Sequence, residues 1–302
     1  MDIYLFENNG NNCYFIVAIH AIIDLIQVKA LLDNSSVISN TFMNIIYSPV
    51  VKTTEGCIIH QLANIDEFKK GLAASNNFFV GHDQQDASEC FLHILDQFTK
   101  ENKKKSYRGL YDTPKNIVTK SLIHLKDYDK KHGYSPISEL YLGQYIFRKI
   151  CPNCNDTTHS FEEFITVDIV PNNTSLTNCL FEYFKQERVE LKCDKCHYDY
   201  MDRKMNIMKY PNILVICIKR FDENTYNSSV EITNKIAIRN NDNIVKYKLR
   251  LIIHHIGNNH SGHYYVTLHD NDSYVIINDA HVSKSKNVDF SKSAYMVFYE
   301  IA

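Results

Sequence analysis

The amino-acid sequence predicts an α+β fold, on three observations. From Asn12 to Ile26 the apolar residues are nearly continuous and free of Pro and Gly, the composition of a helix buried on most of its sides. From Gln84 to Phe98, the residues Ala87, Cys90, Phe91, Ile94, Leu95 and Phe98 recur at i, i+3, i+4 and i+7, so an amphipathic helix carries Asp86 and Glu89 on its polar face. Beyond about Leu140 the texture changes to short β-rich runs, Phe164 to Val170, Ile213 to Ile218, Leu249 to His254, Tyr264 to Leu268 and Tyr274 to Ile277, separated by Asn, Asp and Gly. Helices in front and strands behind, without regular alternation, argue against a doubly wound sheet.

The bulk numbers narrow the function classes. The chain has 302 residues, 44% of them hydrophobic and 23% charged, enough to bury a substantial core. A formal net charge of -2 gives no basic field for nucleic acid, and none is expected as a partner. No membrane partner is expected either, because the longest apolar run, Cys13 to Ile23, is about half the ~20 residues that span a bilayer and is interrupted by His20. Met1, Asp2 and Glu7 do not make a secretory signal, so a cytoplasmic or nuclear location is expected. In a reducing compartment the nine cysteines serve metal binding, catalysis or burial rather than disulfides. The lysine-rich patches at Lys100 to Lys105 and Lys126 to His132 read as solvated loops or helix ends.

The first helix carries the first chemical signal. Asn8-Asn9-Gly10-Asn11-Asn12 is a polar turn that delivers Cys13 to a helix start. A thiol there faces unpaired N–H groups and the positive end of the helix dipole, which favour the thiolate. The same N–H groups, with a nearby Asn amide, can stabilise the oxyanion of acyl transfer. An isolated Cys before an apolar helix is otherwise a small buried hydrophobe.

A base is found in the back half. Six histidines lie between His254 and His281, and the polar loop from Gly257 to Gly262 leads into a strand that begins with His263-Tyr264-Tyr265-Val266. Gly262 lets backbone approach closely and makes His263 the best candidate, whereas His254 and His255 read as structural. The run Tyr274 to Asn278-Asp279 then ends in a carboxamide and a carboxylate that can orient an imidazole. Cys, His and Asn or Asp in that order match the papain-like arrangement.

Cys151-Pro-Asn-Cys154 and Cys193-Asp-Lys-Cys196 form two C-x-x-C knuckles. Together they make the four-thiolate set of a tetrahedral structural zinc site, each offering two sulfurs about 3.5 to 4 Å apart. The long spacer places them at the tips of two hairpins. Cys57, Cys90, Cys179 and Cys217 fall within apolar or helical stretches and read as buried fillers.

In this order the residues resemble the ubiquitin-specific proteases. Asn8, Gly10, Asn11, Cys13 and Tyr14 match that family's cysteine box, and Gln84-Gln85-Asp86-Ala87-Ser88-Glu89 its glutamine-aspartate segment. Ser175 to Leu180, Pro211 to Phe221, His255-Ile256-Gly257 and Gly262-His263-Tyr264 also follow its pattern, and Asn278-Asp279 falls on its two-carboxylate motif. The resemblance implies Cys13 as nucleophile, His263 as base, Asn278 and Asp279 as orienting groups and Asn8 as oxyanion donor. It also implies Gln84, Asp86, Glu89 and Tyr264 as substrate contacts, the acids holding basic residues of a ubiquitin tail. Asn12, Ile16, Val17, His20 and Tyr274 depart from the pattern.

The implied architecture is a papain-like cysteine peptidase with a helical thumb (about 1–140), zinc-ribbon fingers with part of the palm (141–220) and a β-rich palm (221–302). The implied activity is deubiquitination by a monomer that binds ubiquitin and its conjugates. Two alternatives stay open: a ubiquitin-binding module without activity, and a peptidase for a ubiquitin-like modifier.

Overall fold

The computed structural model describes residues 2–24, 31–32, 36–54, 57–60, 64–75, 81, 83–105, 115–220, 228–240, 243–258 and 261–302. Phe221, His260 and residues 25–26 of the expected first helix lie outside them.

After a two-residue strand β1 (Asp2–Ile3), α1 (Cys13–Ile23) is buried along all eleven of its residues. A helix apolar on every side needs neighbours on every side. The helices that follow are α2 (Val37–Ile46), α3 (Asp66–Ala73) and α4 (Ala87–Glu101), with β2 (Val50–Thr54) and β3 (Cys57–His60) between the first two; α4 packs along α1, and α3 meets it through Phe68. Phe15, Phe42, Phe68 and Phe98 form the joint, with Phe42 5.2 Å from Phe68 and 5.1 Å from Phe98 between ring centroids. Tilted and edge contacts of this kind add ~0.5–1.5 kcal/mol each beyond burial. Strands β1, β3 and β2 make a small sheet in that order.

Next come α5 (Ile117–His132) and α6 (Pro136–Tyr141), opened by capping boxes at Asn116/Thr119 and Ser135/Ser138. The Lys126 to His132 patch is thus the last turns of a helix, its cations placed at the negative end of the dipole.

The remaining strands are β4 (Gly143–Ile150), β5 (Thr157–Phe164), β6 (Thr166–Ile169), β7 (Thr174–Ser175), β8 (Glu187–Glu190), β9 (Tyr200–Lys209), β10 (Ile213–Ile218), β11 (Val230–Glu231), β12 (Lys235–Asn240), β13 (Asn243–Gly257), β14 (Gly262–Asp270), β15 (Ser273–Asn278), β16 (His281–Ser285) and β17 (Ala294–Ile301), with α7 (Leu176–Tyr183) after β7. They form a four-stranded sheet, β5-β4-β9-β8, and an eight-stranded sheet, β16-β15-β14-β13-β17-β10-β6, in which β12 also pairs with β13. Strands β7 and β11 pair with each other.

The eight-stranded sheet is covered on both faces, which explains the unbroken apolar run of β10, buried at every residue. Leu251, Ile253, Val266, Met296 and Phe298 share a core with α1 and α4. Leu214, Ile216, Ile252, Val297 and Tyr299 face the other way, into a core that includes Leu176 and Leu180 of α7. A register shift at Arg250 sends Leu249 and Leu251 to opposite cores. Helix α1 packs on β14, so a helix N-terminus meets the mouth of the β14 hairpin.

Candidate active site

The turn before α1 winds through Gly10 at φ 92° and Asn11 at φ 52°, two successive left-handed residues of the types that tolerate it. It folds back on Asn8, whose Oδ1 accepts the Asn12 N–H at 2.9 Å, while the Asn12 carbonyl takes the N–H groups of Phe15 and Ile16 and starts the helix. Cys13 is the first helical residue and is 4% exposed.

His263 stands in β14, opposite Ile256 of β13. Its imidazole is held up to about 9, first by a hydrogen bond with the Cys13 side chain; partial burial opposes this, and the Asn278 hydrogen bond and the charges of Cys13 and Asp279 add to it. Nε2 lies 2.6 Å from Asn278 Oδ1 and 3.9 Å from Asp279 Oδ2. The carboxamide oxygen can only accept, so Nε2 carries the proton and Nδ1 is left to exchange one with the thiol. His254, by contrast, is buried between Ser293 Oγ and Thr267 Oγ1, and burial lowers it to about 3.

Neighbouring residues at a strand end ordinarily face opposite ways. Asn278 and Asp279 instead converge, because Asp279 has left β15 and sits in the turn to β16 at φ 52°. Its carboxylate accepts from Asn8 Nδ2 at 3.2 and 3.3 Å. The expected oxyanion donor and the expected second orienting acid are therefore partners of each other. An amide nitrogen has two N–H groups, so one can face Asp279 while the other turns to a second acceptor.

Gly262 has a different use from the one its sequence position suggests. A Cβ there would lie 2.1 Å from His255 Nε2, so the glycine makes room for the His255 ring. Gly262 is also clasped by the Gln84 carboxamide, whose Nε2 donates to its carbonyl at 3.1 Å and whose Oε1 accepts its N–H at 3.0 Å. The segment before α4 is thereby tied to β14, one residue from His263.

Asp86 differs from the expectation of an acid presented to a basic tail. It is the N-cap of α4: Oδ1 accepts from Ser88 N and Glu89 N at 2.7 and 3.0 Å, and Oδ2 accepts from the Tyr295 hydroxyl. Sequence spacing put Asp86 on the polar face, whereas it precedes the helix as its cap, and the reach of Tyr295 to it cannot be read from spacing. Tyr264, expected as a substrate contact, is 7% exposed and packs between His255 and Tyr295. Glu89 is exposed.

A family model described as ubiquitin carboxyl-terminal hydrolase matches residues 6–299. The chain belongs to the ubiquitin carboxyl-terminal hydrolase family. It is 29% identical over 213 residues to the probable ubiquitin carboxyl-terminal hydrolase R319 of Acanthamoeba polyphaga mimivirus, covering 61% of this chain and 45% of that one. It is 24% identical to ubiquitin carboxyl-terminal hydrolase 4 of Candida glabrata, covering 97% of this chain and 40% of that one. The chain thus spans less than half the length of these relatives. Among solved structures, Ubp8 of the SAGA DUB module bound to monoubiquitin superposes with a TM-score of 0.77 at 18% identity, covering 99% of this chain and 69% of that one. The same module bound to ubiquitin aldehyde gives a TM-score of 0.75 at 17% identity, covering 99% and 70%. These superpositions show a shared fold.

In this member of the hydrolase family the two knuckles do sit at hairpin tips, Cys151 and Cys154 between β4 and β5, and Cys193 and Cys196 between β8 and β9. They are built alike. The residue after each second cysteine, Asn155 or His197, is left-handed at φ 56° or 59° and donates its N–H to the carbonyl of the first cysteine at 2.9 Å. All four sulfurs lie within 4.8 Å of one another, Cys151 to Cys196 at 3.5 Å and Cys154 to Cys193 at 3.7 Å. A tetrahedron of Zn–S bonds near ~2.3 Å has edges of ~3.8 Å, so the set fits a metal ion. The sulfur separations are far beyond a disulfide bond, and all four thiols are free.

Two contacts of the hydrolase site had no sequence signal. Lys69 of α3 reaches Asn12 Oδ1 at 2.7 Å, and Tyr295 anchors the α4 cap. Both residues lie far in the chain from the residues they hold, and neither belongs to a local motif.

Proposed function

We propose that the chain is a deubiquitinase that hydrolyses the peptide or isopeptide bond after the C-terminal glycine of ubiquitin, with Cys13 as nucleophile. The observation that carries this is the placing of an imidazole beside a helix-start thiol: Cys13 opens α1 and raises the pKa of His263, whose Nε2 is held at 2.6 Å by Asn278. Residues 1–140 act as a thumb, 141–220 as fingers with part of the palm, and 221–302 as the palm. Ubiquitin lies against fingers and palm, and its tail passes between α4 and β14. Glu89 offers the exposed acid for that tail, while Asp86, Gln84 and Tyr264 shape and hold the walls.

The proton of Cys13 passes to His263, and the thiolate attacks the glycine carbonyl carbon. The oxyanion is met by the Cys13 backbone N–H and an N–H of Asn8 Nδ2. Collapse breaks the C–N bond, the amine leaves with the proton from His263, and a thioester remains. His263 then takes a proton from water, the hydroxide attacks, and the sulfur departs to give the ubiquitin carboxylate and free enzyme. Cys151, Cys154, Cys193 and Cys196 would hold zinc, which braces the fingers and takes no part in these steps. The protein works as a monomer in cytoplasm or nucleus.

Ubiquitin bearing a C-terminal electrophile tests this reading. It is expected to add one label, mapped to Cys13, while probes built on ubiquitin-like modifiers react at least tenfold more slowly. Labelling elsewhere removes Cys13 as nucleophile; equal or faster labelling by a ubiquitin-like probe moves the substrate; binding of ubiquitin without labelling leaves a binding module.

The imidazole gives a pH signature. Its pKa in the folded state is raised to about 9, so the stabilisation from its partners is complete below 6.5 and is lost as pH rises through about 9. Because the leaving amine needs the imidazolium proton, the alkaline limb of kcat/KM falls near pH 9, and Asp279→Asn moves it down by removing one favourable charge. An alkaline limb near pH 6.5 in the parent would contradict the raised imidazole.

A further inference from the structure

Lys69 is 8% exposed, a rare setting for an ammonium, and burial lowers its pKa. Its Nζ donates to Asn12 Oδ1 at 2.7 Å and to the Gly81 carbonyl at 2.8 Å, and lies 5.7 Å from the Tyr14 ring centroid. Asn12 is itself only 3% exposed and holds the N-cap position of α1. Asn at an N-cap ordinarily turns its carboxamide oxygen onto an N–H of the first helical turn. Here Asn12 stands at φ -92° and ψ 5°, outside the extended backbone of an ordinary cap; it makes no side-chain cap hydrogen bond and gives its oxygen to Lys69. The Asn12 backbone N–H meanwhile fixes Asn8, which faces Asp279. Asn12 is thus the joint between a buried cation on α3 and the turn that presents Asn8 and Cys13.

The geometry points to Lys69 as a positioning residue for acyl transfer at Cys13: by holding the Asn12 carboxamide it fixes the turn that carries Asn8 and Cys13. This rests on the acyl-transfer reading of the site. When the ammonium is removed, the Asn12 carboxamide loses its anchor and the turn that presents Asn8 loosens, so the two side chains act as one. An electrostatic or packing role for Lys69 makes no such demand on Asn12. The double variant therefore separates the two.

Lys69→Met, Asn12→Ala and the double variant are assayed on a fluorogenic C-terminal amide of ubiquitin and on p-nitrophenyl acetate, which acylates a reactive thiol without ubiquitin. Lys69→Met is expected to lower kcat on both substrates about thirtyfold, the scale of a weakened oxyanion donor, with KM for the ubiquitin substrate within about twofold. Asn12→Ala alone should cost about as much, and the double variant should be within about twofold of the slower single variant. A double variant whose loss is the product of the two single losses, or a loss confined to KM, would overturn the assignment. If Lys69→Met does not fold, Lys69→Gln, whose amide still donates to Gly81, replaces it with the same coupling expected. A parent that turns over the ester at Cys13 but not the ubiquitin amide would refute the deubiquitinase reading and leave Lys69 to be judged on the ester. A parent inactive on both would refute the two together.

Discussion

Asn278→Ala lowers kcat for a fluorogenic C-terminal amide of ubiquitin by about a thousandfold, short of the ~10⁴ seen when a buried orienting group forces the wrong tautomer, because this ring is partly solvated. The contact at stake is the 2.6 Å hydrogen bond that places the proton on His263 Nε2 and turns Nδ1 toward Cys13. Asn278→Asp keeps an acceptor at the same place and stays within about tenfold of the parent. Asp279→Ala acts through a different atom: it releases Asn8 Nδ2, so its cost is that of a loosened oxyanion donor, about tenfold to a hundredfold. Turnover of the three variants under saturating substrate decides the matter. An Asp279→Ala variant that is inactive beside a nearly normal Asn278→Ala would transfer the orienting role to Asp279.

Cys193→Ser is expected to remove the bound zinc and lower the melting temperature by ten degrees or more. Structural zinc contributes on the order of ~10 kcal/mol to the folding of small sites, although in a larger domain part of the loss stays local to the tip. The local core around the knuckles consists of Cys151, Cys193 and Met201 with Val189 beside them, too little apolar area to hold two hairpin tips together unaided. The check is zinc content by atomic emission together with a thermal melt. One zinc per parent chain and none in the variant supports the assignment; a metal-free parent with the same melting temperature as the variant rules it out. Activity is expected to fall by a smaller factor, because the cluster takes no part in the proposed steps at Cys13.

Legibility in the sequence followed the range of the interactions. Cys13, His263 and Asn278 could be singled out as candidates because helix starts, hairpin glycines and strand ends leave local patterns, and the four-cysteine cluster because the spacing of its knuckles is a local pattern too. Asp86 and Asp279 were visible as acids but not as the partners of Tyr295 and Asn8, since a residue type does not say which donor lies 209 or 271 positions away. The small sheet of β1, β2 and β3 was missed because strands of two to five residues carry too few alternations to register. Helix α5 was seen only as a charged patch: just Ser121, Leu125 and Asp129 are buried along it, so its apolar stripe is nearly absent and its start is marked by the capping box instead.

The place of β17 in the sheet has a consequence for how the site is assembled. This strand runs between β13 and β10, inside the eight-stranded sheet, yet its residues follow Cys13, His263, Asn278 and Asp279 in the chain. A ribosome therefore releases the thiol and the imidazole well before it releases the strand on which their two halves must close. Until Ala294 to Ile301 have emerged, β13 and β10 have no common partner, and the relay cannot be held together. The nascent chain therefore carries Cys13 and His263 in parts of a sheet that stays open until its inner strand has paired on both sides.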